Sequence, residues 1–230
     1  MAPATEARQG SAEGVTVTQS GQVEPSEGRC GAMVALVAGA HPRPWTIEEW
    51  LALNETAPDG RRYELLDGQV IVSPPPSARH QYAADELRAL LKAAAPDDLR
   101  VITAVGVQLD EDSGLIPDVV VVRRAFLRSG MKVPSAGDVR LVVEIVSPST
   151  RTSDRGSKPQ KYAAAGIPYF WRVELEDFRG RGSDELPVLF AYALDEDGAY
   201  RLTHRIAAGN RARLDAPFPV ELDPAVLADY

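Results

Sequence analysis

The chain has a single cysteine, Cys30. With no second thiol it closes no internal disulfide, and a reducing cytoplasmic setting is the simplest reading. Histidine is also scarce. His41, His80 and His204 lie far apart and lack the paired spacing of a structural zinc site. No apolar run approaches the roughly 18 residues of a membrane span. Met33 to Ala40 is apolar but too short, and it lacks the charged lead and cleavage site of a secretory signal. Basic charge is in deficit: 25 Lys and Arg against 33 Asp and Glu leave a net charge of −8. That argues against a protein that coats nucleic acid through overall positive charge. It leaves room for a local basic groove, and for acidic metal ligands whose charge a bound cation cancels.

What is present suits one folded domain. The 230 residues are 44% hydrophobic and 25% charged, enough to bury a sizeable core. Residues 1–43 are rich in Gly, Ala, Ser, Glu and Gln without period, and read as a disordered extension in which Met33 is an alternative start. Residues 44–230 carry the pattern of a folded domain, and no internal repeat is visible.

Thr46 and Glu49 form a capping box that opens a short helix, Ile47 to Leu53. Tyr63 to Leu66, the turn Asp67-Gly68, and Gln69 to Val72 predict a hairpin. Ser77 caps a helix with Ala83, Leu87, Leu90, Leu91 and Ala94 on one face, ended by Pro96. Strands are predicted over Val101 to Leu109, Ile116 to Val122 and Val139 to Val146; the last two have the β-branched content of strands covered on both faces. A helix around Lys158 to Ala165, a strand over Tyr169 to Glu174, and a hairpin over Val188 to Leu194 and Ala199 to Ile206 complete the pattern. The order predicts a mixed α/β domain whose central sheet is flanked by helices.

Two carboxylates stand out. Asp118, after Pro117, opens one strand. Glu144 lies inside another, in Leu141-Val142-Val143-Glu144-Ile145-Val146. A carboxylate inside so apolar a strand is costly to bury unless paired or metal-bound. Strand alternation puts Val142, Glu144 and Val146 on one face. On neighbouring strands, Asp118 and Glu144 could converge on one ion. Magnesium prefers oxygen ligands and keeps several waters, so two or three carboxylates can hold it beside a phosphate. Structural alternatives remain for each: a backbone-bonded strand start for Asp118, a salt bridge with arginine for Glu144.

Pro117-Asp118, Glu144, Ser147-Pro148-Ser149-Thr150, Asp154, Lys158, Tyr162, Gly166-Ile167-Pro168 and Trp171 together resemble the Uma-type restriction endonucleases, a bacterial family of the PD-(D/E)XK nuclease superfamily. Tyr63-Glu64-Leu65-Leu66-Asp67-Gly68, Ser73-Pro74 and His80 resemble its N-terminal pattern. The resemblance spans roughly residues 45 to 228. It implies a restriction-endonuclease-like core with an extra N-terminal hairpin and a C-terminal β-hairpin. Asp118 and Glu144 would be metal carboxylates and Glu64 a further acidic ligand. The superfamily lysine two residues after the second acid is replaced by Val146, and Lys158 occupies the place of a substitute on the next helix. Pro159 follows it directly, so the helix would begin near Ser157, with Lys161 as the alternative lysine. The acid usual before the aromatic pair is absent at Tyr169-Phe170-Trp171.

The function these expectations describe is a magnesium- or manganese-dependent endonuclease acting on DNA, with a two-fold homodimer as the expected assembly. His80, Arg151, Arg155 and Lys161 are the candidate nucleic-acid contacts, with Arg123, Arg124, Arg128 and Lys132 as an extension. A non-catalytic module of the same fold, binding nucleic acid or a protein, is the alternative. A hydrolase using Ser147 or Ser149 is a third reading, opposed by the lack of a histidine nearby in sequence.

Overall fold

The computed structural model describes residues 35–36, 43–56 and 61–230. Most of the expected extension therefore lies outside the described residues. From within it, the short strand β1 (Ala35–Leu36) pairs with a strand of the folded domain.

The central sheet forms where the valine-rich runs predicted it. Its strands are β4 (Leu99–Thr103), β7 (Val119–Arg123), β8 (Val139–Val146), β9 (Tyr169–Glu174), β10 (Val188–Leu194) and β11 (Tyr200–Ala207), in the spatial order β11-β10-β9-β8-β7-β4. All pairings are antiparallel except β8 with β9, which are joined by helices α3 (Arg151–Arg155) and α4 (Ser157–Ala164). A parallel pair needs such a crossover, and it makes the sheet mixed. Helix α2 (Ala78–Ala94) is capped by Ser77, whose hydroxyl accepts the N–H of His80. Its Ala83, Leu87 and Leu91 pack with Val119, Leu141, Val143, Ile145 and Trp171 on one face of the sheet. Val120, Val142, Phe170 and Tyr162 fill the opposite side. The sheet is thus covered on both faces, a mixed α/β architecture.

A second sheet, ordered β1-β3-β2-β6-β5, contains β2 (Arg62–Leu66), β3 (Gln69–Ser73), β5 (Val107–Gln108) and β6 (Gly114–Leu115). It corrects two expectations. Val101 to Leu109 is not one strand: Ala104 turns at φ 52°, and β4 and β5 enter different sheets. The strand expected over Ile116 to Val122 begins later, at Val119: Ile116 and Pro117 connect β6 of the small sheet to β7 of the large one. Apolar residues continue past both bends, so the local pattern did not mark them. A terminal hairpin, β12 (Ala212–Leu214) with β13 (Val220–Leu222), was also not foreseen.

Helix α1 (Ile47–Thr56) carries the expected capping box: Thr46 N donates to Glu49 Oε2 at 3.0 Å, and Glu49 N to Thr46 Oγ1 at 3.4 Å. Its Trp50 is buried, and its ring lies against Gly114, where an added Cβ would sit 2.5 Å from Cζ3. Gly114→Ala is therefore expected to destabilise the domain by about 1–3 kcal/mol through overpacking. Thermal denaturation should show a melting temperature lower by roughly 2–10 °C. An unchanged value would mean that the Trp50 ring can move aside freely.

Candidate active site

β7 and β8 bring the two expected carboxylates together. Val119 pairs with Val143 and Val120 with Val142, and Asp118 immediately precedes Val119, which sets it at the end of β7 that lies beside Glu144 of β8. Asp118 N donates to Val143 O at 3.1 Å. Both acids are buried, at 5% and 2% exposure.

Asp118 is held from three directions. Arg62 of β2 donates to Oδ1 at 2.7 Å. The N–H of Ile145 donates to Oδ2 at 2.8 Å, and His80 Nε2 lies 3.2 Å from the same oxygen. That nitrogen is also 2.8 Å from the Ile145 carbonyl, which can only accept, so Nε2 carries a proton. His80 Nδ1 is buried without a hydrogen-bond partner.

Lys158 gathers the other acids. Its ammonium is 3.1 Å from Glu64 Oε1, 3.3 Å from Glu144 Oε1 and 3.3 Å from Asp154 Oδ1. The Asp154 contact is an ion pair without hydrogen-bond alignment, so that buried oxygen lacks a donor. Glu64 Oε1 also accepts the N–H of Ile116 at 2.8 Å, which ties β2 to the segment leading into Asp118. The Tyr162 hydroxyl donates to Glu144 Oε1. Lys158 reaches this position because α4 begins at Ser157 and Pro159 falls in its first turn, where proline leaves no helical bond unmade.

Burial is the largest single influence on the protonation of each of these groups, and charged neighbours decide whether it prevails. It pushes the Glu144 carboxyl well above its ordinary range; Lys158 opposes this, while Asp154, Asp118 and Glu64 add to it. Burial raises Asp154 to about 6 against the pull of Lys158. For Lys158 burial favours the neutral amine, but the surrounding carboxylates outweigh it and hold the ammonium charged. Burial also disfavours protonated His80, yet the bond and charge of Asp118 raise it above 6.5. The carboxyl of Asp118 is lowered: its own burial acts the other way, but His80 and Arg62 prevail.

A pH dependence follows. Below 3.8 Asp154 is protonated in both states; the unfolded chain then releases the proton that the folded chain keeps until about 6. His80 contributes stability that is full below 6.5 and is lost as pH rises through its raised folded value. Both groups make the metal-free protein less stable as pH rises from about 4 to above 6.5. Urea midpoints should show this decline, and Asp154→Asn should flatten its lower part. A midpoint rising across that window would contradict the burial-driven shifts.

Several expected residues are not brought into the cluster. Lys161 ion-pairs with Asp67 in the β2–β3 turn and so does not replace Lys158. Arg155 forms two hydrogen bonds with Glu174, at 2.9 and 2.7 Å. Arg151 is exposed, its Nε donating to Pro148 O at 3.1 Å. Arg123, Arg124 and Arg128 line a hollow with Asp97 and Asp98 at the far end of β7 from Asp118. Lys132 ion-pairs with Glu55. Ser147 Oγ is bonded to the hydroxyls of Ser149 and Thr150, a turn rather than a nucleophile arrangement. Asp154, Arg62 and Tyr162 were missed as site residues. Asp154 and Tyr162 had a signal, since they stand four residues on either side of Lys158 and α3 and α4 present them to the same ammonium and carboxylate. Arg62 had none.

The donor set fits a hard divalent cation by type and charge. Four buried carboxylates face two permanent cations, Lys158 and Arg62, plus the titratable His80. Among the described residues no three acid, histidine or cysteine side chains form a ready cage. Magnesium needs none, since it is commonly held by one or two carboxylates, water and substrate phosphate.

A mixed sheet with one buried acid just before a strand and another on its neighbour, and a lysine from the crossover helix between further acids, is the arrangement of a restriction-endonuclease-like protein. The model of the Uma2 family, described as "Putative restriction endonuclease", matches residues 47–227, and the chain belongs to that family. Among solved structures, a protein of Anabaena variabilis ATCC 29413, described as a putative nuclease belonging to DUF820, shares the fold. The TM-score is 0.59 at 17% identity, over 80% of this chain and 97% of that one. No curated protein matches the chain.

Proposed function

We propose that the chain is a divalent-metal-dependent endonuclease that hydrolyses phosphodiester bonds in DNA. The supporting observation is the burial of Asp118, at the start of β7, and of Glu144, on the neighbouring strand β8, with an ammonium shared by Glu64, Glu144 and Asp154. Membership of the Uma2 family supports the same reading. Asp118 and Glu144, with Glu64, would hold Mg²⁺ or Mn²⁺. When bound, such an ion neutralises phosphate charge and lowers the pKa of an attacking water. The chain's own groups do the rest. Arg62, His80 and the Ile145 N–H fix the Asp118 carboxylate. Tyr162 orients Glu144. Lys158 places fixed positive charge where negative charge on a phosphate develops. Exposed Arg151 is one candidate for a backbone phosphate contact. A two-fold homodimer would present two such sites to the two strands of a duplex.

The test is incubation of supercoiled plasmid and single-stranded DNA with Mn²⁺. Wild type should cleave, whereas Glu144→Ala and Lys158→Ala should not; cleavage surviving in both variants overturns the site assignment.

The ion pairs that already neutralise the acids through Arg62 and Lys158 favour one other reading, a non-catalytic nuclease-fold module that binds nucleic acid or a protein. Metal titration separates the two. A cation bound by the folded state at 100 times its Kd adds about 2.7 kcal/mol of stability. Mn²⁺ should raise the melting temperature of wild type but not of Asp118→Ala. If wild type shows no rise, the metal-dependent reading fails.

A further inference from the structure

Beside the acid–lysine cluster lies a cleft of about 400 Å³ between α4 and the β10–β11 side of the sheet. That volume lies within the roughly 300–1,000 Å³ of small-ligand sites. One wall is aromatic. The rings of Phe170 and Tyr192 stack with centroids 5.6 Å apart at 26°, and the Tyr200 ring also lies 5.6 Å from that of Phe170. The cleft also contains two guanidinium groups, Arg155 and Arg172, against a single carboxylate, Glu174. Arg155 takes both oxygens of Glu174. Arg172 Nε is 3.1 Å from the same carboxylate but unaligned, and it is a buried donor without a hydrogen-bond partner. The pair of arginines therefore keeps one positive charge beyond what Glu174 cancels.

The cleft and the cluster share structure. Arg172 is the register partner of Glu144 across the parallel β8–β9 pair, on the same face. Tyr162 bonds Glu144 through its hydroxyl, and its ring centroid is 6.0 Å from that of Phe170. Arg155 follows Asp154 directly, and exposed Gln160 on the cleft side of α4 lies two residues after Lys158.

We propose that this cleft is a subsite for an unpaired nucleotide of a single-stranded nucleic acid: the base lies against the Tyr192 side of the aromatic wall, and its phosphate meets the Arg155–Arg172 pair. The identity of the strand rests on the nuclease reading. Rings and excess positive charge are the two elements of sequence-tolerant single-strand binding. A base inside a duplex has no free face to offer, so the cleft favours single-stranded or frayed DNA over paired DNA.

The test uses the full chain in EDTA, where no metal-dependent cleavage occurs, with a fluorescein-labelled mixed-sequence 12-mer and the same 12-mer annealed to its complement. Anisotropy should show tighter binding of the single strand. Tyr192→Leu, which keeps an apolar side chain, should weaken it on the order of tenfold, the scale of one stacked base. Gln160→Glu changes only an exposed residue in the first turn of α4, a position where an acid suits the helix, so it keeps the fold intact. It should also weaken single-strand binding, most at low salt. If wild type does not bind the single strand, or both variants bind it as wild type does, the subsite is overturned. Plasmid cleavage by wild type is measured in parallel. Cleavage with unaltered variant binding removes the subsite alone, while variant-sensitive binding without cleavage removes the nuclease reading alone.

Discussion

Replacing Lys158 with methionine is expected to abolish DNA cleavage and to cost the fold about 3–5 kcal/mol, the range for removing one partner of a buried ion pair. The side chain is 7% exposed, and its ammonium lies within 3.3 Å of three carboxylates. Without it Glu64, Glu144 and Asp154 lose the cation they share. Part of the loss is recovered by proton uptake, because burial already raises Glu144 and Asp154. The variant should therefore be least stable at alkaline pH and regain stability towards pH 5. Urea unfolding at the two pH values measures this, and plasmid nicking with Mn²⁺ measures activity. Wild-type stability at pH 8 would show that Lys158 is not the counterion of the cluster.

Glu144→Gln separates function from folding. The substitution keeps the shape of the side chain and an oxygen for the Tyr162 hydroxyl, but removes a carboxylate whose burial disfavours its charge. Folding stability at pH 8 should be unchanged or higher. Cleavage should fall on the order of a thousandfold or more, the upper range for removing one charge-stabilising group from a catalytic site, here with loss of a metal ligand as well. The Mn²⁺-dependent rise in melting temperature should shrink in parallel. A variant that cleaves at the wild-type rate would show that Glu144 serves structure alone.

Much of this site could be read from local pattern. The apolar surroundings of Glu144 marked it as a residue needing a partner, and strand alternation put it on one face with Val142 and Val146. Pro117-Asp118 and Lys158 were legible through the family resemblance, and the helix start at Ser157 through the constraint that Pro159 imposes. Arg62 was not legible. It lies 56 positions from Asp118, and only the antiparallel pairing of the small sheet brings it there. The changes of sheet at Ala104 and Pro117 were hidden for a related reason. The chain passes there from one sheet into another while apolar residues continue on both sides, so the sequence pattern stayed continuous where topology did not.

Lys161 and Arg155 show the boundary most clearly. Both belong to the basic run that sequence placed beside the acids, yet one is held by Asp67 and the other by Glu174. Amphipathic and alternating patterns, which depend on neighbours within a few residues, specified the helices, most strands and the face that carries the acids. The matching of each cation to its carboxylate depended on which strands became neighbours. Partner choice among charged side chains is decided by distances across the sheet order and the α3–α4 crossover, and those distances have no counterpart in local spacing.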